Sequence, residues 1–135
     1  MLLTQLFSAQ EALGKKRGGS IINISSIEGS RPAPGHSHYA TSKAALEMLT
    51  KASALEFGPR GIRVNAIAPG LINRVGIEEG WPEGVAAWKA AAPLGRLVDP
   101  NDIASTCVFL ASPMSSSISG TVLTVDCGLS IKPGW

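Results

Sequence analysis

Short runs of β-branched residues alternate along the chain with longer segments whose apolar residues recur every three or four positions. The short runs have the length and composition of buried strands, and the longer segments have the spacing of helices with an apolar stripe. The predicted strands are residues 20–25, 62–67 and 121–125, and the predicted helices are residues 2–15, 37–57 and 99–111. Strands joined by crossover helices form a parallel sheet. The pattern therefore predicts an α/β fold: a doubly wound parallel sheet with helices on both faces.

Two of these segments are unusually apolar. Residues 20–25 read Ser-Ile-Ile-Asn-Ile-Ser, which predicts a strand buried on both faces rather than an edge strand. The helix 37–57 carries apolar residues on more than one face, so we expect it to pack against the sheet and also against another helix or subunit. Residues 71–96 are predicted to be irregular, with a short helix near 83–91. Asp99 then caps the last helix.

The composition restricts the class of protein. The chain has 135 residues, of which 44% are hydrophobic and 16% charged, and its formal net charge is +2. This length suits one domain. The high hydrophobic fraction, the low charged fraction and the small net charge are unlike those of a disordered or nucleic-acid-binding protein. No run of 18 apolar residues predicts a membrane span. Cys107 and Cys127 lack the spacing of metal ligands, which predicts reduced thiols in a cytoplasmic protein without a metal site.

A tyrosine and a lysine four residues apart are the first candidates for chemistry. Tyr39 and Lys43 fall within the predicted helix 37–57, so they share one face of it, one turn apart. A free tyrosine has a pKa of about 10, and a nearby ammonium favours its phenolate form. The phenol would then be a better proton donor and acceptor near neutral pH. Taken alone, the pair also matches an ordinary exposed pair on a helix surface.

Ser26 adds a hydroxyl at the end of the first predicted strand. In open parallel sheets, ligands bind beyond the carboxyl ends of the strands, and Pro69-Gly70 marks the end of the next strand. The loop 26–36 is long enough to bring Ser26 back beside Tyr39. A serine that follows a strand is otherwise explained as a turn or cap residue.

Six stretches occur together in a recognisable order and spacing. They are 19–26 (GSIINISS), 39–45 (YATSKAA), 62–70 (IRVNAIAPG), 93–96 (PLGR), 99–104 (DPNDIA) and 119–126 (SGTVLTVD). Each stretch alone is weakly specific, but the set is highly specific. Over essentially its whole length the chain resembles the C-terminal half of the short-chain dehydrogenase/reductase family, and it is similar to the 3-oxoacyl-acyl-carrier-protein reductase and glucose dehydrogenase members.

The resemblance implies an NAD(P)-dependent oxidoreductase that transfers hydride between a nicotinamide cofactor, NAD or NADP, and a small-molecule carbonyl or alcohol substrate. Carried over by position, Tyr39 would be the general acid/base, Lys43 would lower its pKa and hold the nicotinamide ribose, and Ser26 would hydrogen-bond the substrate oxygen. The Pro69-Gly70 turn would place the backbone of Ile72 against the nicotinamide carboxamide. These roles agree with the chemistry, because a carbonyl that gains hydride needs a proton donor and a polarising hydrogen bond at its oxygen.

The chain departs from the family pattern mainly in what its sequence lacks. It contains neither the glycine-rich pyrophosphate-binding motif nor the residues that select NAD or NADP. The family's catalytic asparagine would precede Met1, and Arg74 replaces a threonine that often contacts the cofactor. Cys127 replaces a glycine and is expected to be a tolerated packing change. We therefore expect residues 1–135 to be the C-terminal, catalytic part of a single domain, a partial Rossmann-like fold with the last three strands and flanking helices, whose N-terminal cofactor-binding half is absent.

Two functional hypotheses follow. In the first, the chain is a truncated oxidoreductase, which the intact Ser26, Tyr39 and Lys43 favour. In the second, it is a catalytically inactive remnant or a dimerising interaction module. Under either hypothesis we expect a homo-oligomer, a dimer or tetramer, formed through helix 37–57 and the last helix and strand, with neither nucleic acid nor a membrane as a partner.

The remaining candidates concern the substrate. His36 and His38 have no metal spacing, and we interpret them as incidental loop residues in preference to a place at the mouth of the substrate cleft. Glu28, His36 and Arg74 nevertheless hint at a polar substrate such as a sugar, a polyol or an oxoacyl group. Three large residues fall where the family shapes its substrate pocket, and both pocket lining and simple packing explain them. They are Leu71, Trp81 and Trp88.

Overall fold

The structure, a computed structural model, describes residues 18–131, and its strands and helices alternate over that range. The elements are β1 (Gly19–Ile24), α1 (Ser37–Phe57), β2 (Ile62–Pro69), α2 (Ile77–Gly80), α3 (Pro82–Ala91), α4 (Pro100–Ala111) and β3 (Val122–Val125). The predicted helix 37–57 is confirmed at both ends. The four-residue α2 was not predicted, because it is too short for an apolar period to show. The helix predicted at residues 2–15 lies outside the described residues.

The three strands form one parallel sheet in the order β1-β2-β3. The register of β1 on β2 runs from Gly19 opposite Ile62 to Ile24 opposite Ile67. The register of β2 on β3 begins with Ala66 opposite Val122. Because all three strands run in the same direction, their carboxyl ends meet at one edge of the sheet. The predicted parallel, partial Rossmann-like sheet is confirmed.

Two side-chain hydrogen bonds of β1 show that helices cover both faces of the sheet. Asn23 Nδ2 donates to Thr50 Oγ1 of α1 at 2.9 Å, and Ser20 Oγ donates to the Leu110 carbonyl of α4 at 2.8 Å. Successive side chains of a strand point to opposite faces, so positions 20 and 23 face opposite sides. Helices α1 and α4 therefore lie on different faces, as the doubly wound prediction requires.

Burial differs sharply between the first two strands. In β2, Val64, Ala66 and Ile67 have no exposed surface, whereas β1 is half buried and Ile24 is 44% exposed. The prediction that β1 is buried on both faces is therefore wrong for the described residues. The physical reason is position, since among them β1 pairs with a neighbour on one side only.

Asn65 is a fully buried polar residue in the middle of β2. Its Nδ2 donates to the Ile118 carbonyl at 2.9 Å, and its Oδ1 accepts from the Thr121 amide at 3.1 Å. A buried amide costs little when its hydrogen bonds are made. The side chain thus fixes the loop that leads into β3 against the central strand.

Cys127 follows β3 in an unusual backbone conformation. Its φ of +57° lies in the left-handed region, which costs a residue with a Cβ roughly 1 kcal/mol. Its thiol is buried in a cluster with Ala92 and Val98. The expected packing change is present, but it is combined with backbone strain that the sequence did not predict.

Candidate active site

Ser26 lies directly beyond the carboxyl end of β1 and is nearly buried. It is the N-cap of a short 3-10 turn, Ile27–Gly29, and its Oγ accepts a hydrogen bond from the Glu28 amide at 3.2 Å. The cap explanation of this serine is therefore correct. It does not use up the hydroxyl, because a serine hydroxyl has two acceptor lone pairs and one proton to donate. The amide contact orients Ser26 and leaves its proton available for a ligand.

Tyr39 and Lys43 lie one turn apart on α1. The Lys43 ammonium donates to the Ile24 carbonyl at 2.9 Å and lies 5.5 Å from the centroid of the Tyr39 ring. A cation at this distance from an aromatic face is attracted to it. Lys43 therefore connects the helix to the carboxyl end of β1 and sets a positive charge beside the phenol.

A close approach between α1 and the 27–29 turn fixes the relative position of these groups. Ser25 Oγ donates to Glu47 Oε1 at 3.0 Å, which joins the end of β1 to the middle of α1. A Cβ at Gly29 would overlap the Glu47 carboxylate and come within 3.2 Å of the Lys43 carbonyl carbon. A glycine suits this position because the turn lies so close to the Glu47 carboxylate and to the backbone of α1.

A cleft of about 850 Å³ opens at this edge of the sheet. Four of the predicted site residues line it together: Ser26, Tyr39, Gly70 and Ile72. Lys43 is not a lining residue, but its ammonium lies 5.5 Å from the centroid of the Tyr39 ring, which is one. Pro69 is the buried last residue of β2 and precedes Gly70. The volume is within the range of small-molecule sites, and its position agrees with the strand-end rule.

The lack of a side chain at Gly70 allows the Trp88 ring and Asp126 to pack against the backbone at the bottom of the cleft. A Cβ at this position would lie 2.6 Å from the Trp88 ring and 3.0 Å from the Asp126 Cα. The next segment pairs with the chain beyond α3 through a bridge between Ile72 and Val98. This bridge uses the Asn73 amide and the Leu71 carbonyl, so the amide and carbonyl of Ile72 itself face away from it.

Both histidines line the cleft, which agrees with the alternative considered for them, a place at its mouth, and His38 lies within α1 rather than in a loop. His36 Nδ1 lies 3.0 Å from Glu28 Oε2, and its ring meets the Tyr39 ring edge-on with centroids 6.5 Å apart. The contact between Glu28 and His36 was not predictable from spacing, because it depends on the turn at 27–29, which brings Glu28 back to the start of α1. Arg74, by contrast, is exposed and is not among the lining residues.

The three large residues of the variable segment serve both of the roles considered. Leu71, Trp81 and Trp88 line the cleft, and Leu71 and Trp88 also pack against the buried cluster around Val85. Trp88 Nε1 donates to the Arg96 carbonyl at 3.2 Å, which fixes the ring plane. Four further lining residues were not predicted because no motif marks them: Ile27, Arg31, Ala33 and Leu129.

Close to the cleft floor, burial raises the pKa of the Cys127 thiol, and the positive charge of Arg96 opposes this shift. The pKa of Arg96 is itself raised, chiefly by its hydrogen bond to Asp102 at 3.0 Å. Within residues 18–131, no group of three or more histidine, cysteine or acidic side chains could hold a metal ion. In the same part of the chain, no helix is long and apolar enough to cross a membrane.

Comparisons with known proteins agree with this geometry. A family model described as enoyl-(acyl carrier protein) reductase matches residues 3–130. The chain is 45% identical over 125 residues to 3beta-hydroxysteroid dehydrogenase 1 of Eggerthella lenta, which covers 91% of this chain and 48% of that protein. It is also 45% identical over 116 residues to the 3-oxoacyl-(acyl-carrier-protein) reductase of Chlamydia muridarum, covering 85% of this chain and 46% of that protein.

A solved structure also matches. A 3-oxoacyl-(acyl-carrier protein) reductase from Brucella melitensis matches with a TM-score of 0.78 at 38% identity, over 82% of this chain and 42% of that chain. The chain spans about half the length of the curated relatives it matches. The matched residues and the shared fold together place the chain in the short-chain dehydrogenase/reductase family.

Proposed function

We propose that this chain carries the proton-transfer centre of an NAD(P)-dependent oxidoreductase that acts on a carbonyl or alcohol substrate. One observation carries the proposal: Ser26 and Tyr39 line the same cleft, with the Lys43 ammonium 5.5 Å from the Tyr39 ring centroid. A phenol beside a cation, together with a strand-end hydroxyl, is a suitable set for one substrate oxygen. The relatives named above are a dehydrogenase and reductases.

Proton transfer follows from these positions. When a carbonyl is reduced, its carbon gains a hydride and its oxygen takes the proton of the Tyr39 hydroxyl, which leaves an alcohol and a phenolate. The Lys43 ammonium balances that negative charge. Ser26 donates its proton as a hydrogen bond to the same oxygen while its lone pair accepts from the Glu28 amide. Oxidation of an alcohol reverses each step, with Tyr39 as the base.

The cleft fits the nicotinamide end of such a cofactor, which supplies or accepts the hydride. Lys43 uses one of its three N–H donors on Ile24, so two remain for ribose hydroxyls. The outward backbone of Ile72 can bond a carboxamide. The glycine-rich motif that binds pyrophosphate is not in this sequence, so we propose that turnover needs that motif from a further segment.

We also propose that the protein is a homo-oligomer formed through α1, α4 and β3. Met48 and Leu55 of α1 and Val108 of α4 are large apolar side chains with most of their surface exposed. Exposed apolar patches of this kind mark interaction surfaces. The same surface would serve the alternative function, a dimerising module without catalysis.

A chimera tests the proposed activity. The chain is fused behind the N-terminal half of the Chlamydia muridarum reductase, and oxidation of NADH and NADPH is followed with a panel of ketones and a 3-oxoacyl thioester. We expect turnover, and we expect Tyr39→Phe to lower it by roughly a thousandfold while cofactor binding, measured by fluorescence, is kept. Turnover that survives this substitution would remove Tyr39 from the mechanism. A chimera that binds cofactor but reduces no carbonyl would favour the non-catalytic alternative.

A further inference from the structure

The lining of the cleft has two chemically different parts. The part from residues 26–39 carries the polar and charged side chains, together with Ile27 and Ala33, whereas the part from residues 70–129 is apolar. The polar part includes Glu28, Arg31, His36, His38 and Tyr39, and the apolar part includes Leu71, Ile72, Trp81, Trp88 and Leu129. A ligand that fills this cleft therefore meets hydrogen-bonding groups and apolar surface together.

Glu28 and His36 form a pair within the polar part. His36 Nδ1 lies 3.0 Å from Glu28 Oε2 and 3.2 Å from Oε1. The pair is directly beside the proposed reacting centre, because the His36 ring meets the Tyr39 ring edge-on at 6.5 Å. The Glu28 amide also bonds Ser26 Oγ, so the backbone that orients the serine also carries this carboxylate.

The chemistry of the pair favours a ligand hydroxyl. A carboxylate only accepts hydrogen bonds, so Nδ1 of His36 carries the proton in this contact. In its neutral form the ring presents Nε2 as an acceptor, and the carboxylate keeps further lone pairs. A hydroxyl can donate to either acceptor, and it can also accept from the Arg31 guanidinium on the same part of the lining.

The apolar part suits the C–H surface of a ring. Trp88 is held in one orientation by its hydrogen bond to the Arg96 carbonyl, and Trp81 packs directly over Gly84, where a Cβ would overlap the indole. Two fixed indoles bury flat apolar area at little cost in side-chain entropy. A cyclic compound with hydroxyls along one side matches both parts of the lining.

We propose that the cleft selects a cyclic polyol, and that the Glu28–His36 pair recognises a hydroxyl on the carbon next to the reacting one. This inference rests on the proposed function, because it takes the oxygen at Tyr39 as the reacting oxygen. Glu28 and His36 are specificity-determining residues in this proposal. Neither takes part in hydride or proton transfer.

Ligand binding to the chain itself tests the proposal without cofactor or turnover. The ¹⁵N-labelled chain is titrated with trans-1,2-cyclohexanediol and with cyclohexanol, and the indole N–H signals of Trp81 and Trp88 are followed by NMR. A hydrogen bond to a charged partner predicts that the diol binds about tenfold more tightly than cyclohexanol. Glu28→Gln and His36→Phe should each reduce this preference to less than about threefold while the fold, monitored by circular dichroism, is kept.

The control is Glu78→Gln, which neutralises a carboxylate in an exposed ion pair with Lys89 at 2.9 Å, away from the cleft. It should keep the full diol preference. Equal affinities for the two ligands, a preference that survives both cleft variants, or no indole shift with either ligand would overturn the proposal. Failure of the chimera to reduce ketones would count against the proposed activity and leave the measured diol preference in place, so the two failures are distinguishable.

Discussion

The Lys43 ammonium donates a 2.9 Å hydrogen bond to the Ile24 carbonyl, so a charged group of α1 is fixed at the carboxyl end of β1. The same ammonium lies beside the Tyr39 ring. Its position is therefore set by the packing of a helix on a strand rather than by the free rotamers of a lysine. A site on rigid elements keeps its geometry better than one on loops.

Replacing Lys43 tests this arrangement. Lys43→Met keeps an unbranched side chain but removes the charge that balances the phenolate, so turnover of the chimera should fall by roughly a hundredfold or more. The measurement is the initial rate at saturating substrate, with circular dichroism to monitor the fold. Lys51→Met, an exposed lysine on the same helix, is the matched control and should leave the rate unchanged. Equal effects of the two substitutions would contradict the role proposed for Lys43.

Gly29 tests the contact between the 27–29 turn and α1. Gly29→Ala places a methyl group against the Glu47 carboxylate and the Lys43 backbone, so it should lower the free energy of unfolding by about 1–3 kcal/mol. Urea unfolding measures the change. Gly58→Ala is the control, because Gly58 has helical backbone angles and no atom within 4 Å of the added Cβ. That variant should be as stable as the parent or slightly more stable, and a similar loss in both would refute the argument.

Substitutions of Cys127 test whether its left-handed backbone conformation destabilises the fold. Because its φ is +57°, a glycine at this position should be more stable than an alanine by about 1 kcal/mol. Cys127→Gly and Cys127→Ala both remove the buried thiol, so the difference between their unfolding free energies isolates the backbone effect. An alanine variant as stable as the glycine variant would show that the left-handed conformation carries no cost.

The raised pKa of the Cys127 thiol predicts that the free energy of unfolding depends on pH. Burial raises the pKa of Cys127 in the folded state, whereas a cysteine in an unfolded chain ionises near pH 8.5. Its contribution to stability is complete below that pH and is lost as the pH rises through the folded pKa, because the unfolded state ionises first. The parent chain should therefore lose stability between about pH 8 and pH 10 more steeply than Cys127→Ala. Identical slopes in urea unfolding across that range would disprove this contribution.

The fold was largely predictable because its elements are long enough to show the periodicity of their apolar residues. The 21 residues of α1 give several turns of pattern, and the parallel order follows from crossover connections. The burial of β1 was not predictable, because an apolar strand has the same composition whether or not a neighbour covers its outer edge. The left-handed backbone at Cys127 was also not predicted, although the glycine that Cys127 replaces in the family pattern is a signal for this conformation.

The candidate site was predictable where it rests on helix periodicity or on the ends of parallel strands. Tyr39 and Lys43 share a helix face by spacing alone, and the strand-end rule brought Ser26 and Gly70 to the same edge. The Glu28–His36 contact depends on how a loop folds back over eight residues, which no periodicity encodes. Loop conformation therefore determines the part of the site that could not be predicted from the sequence.

The proposed reacting groups lie on a helix and at strand ends, whereas the apolar lining comes mostly from the segment that contains α2 and α3. Substitutions in that segment can alter which molecules enter without displacing the phenol, the ammonium or the serine hydroxyl. With this arrangement, substitutions in one segment of the chain can change the substrate preference while the reacting groups stay the same. An engineer who wished to redirect the protein would randomise Trp81 and Trp88 and leave α1 untouched.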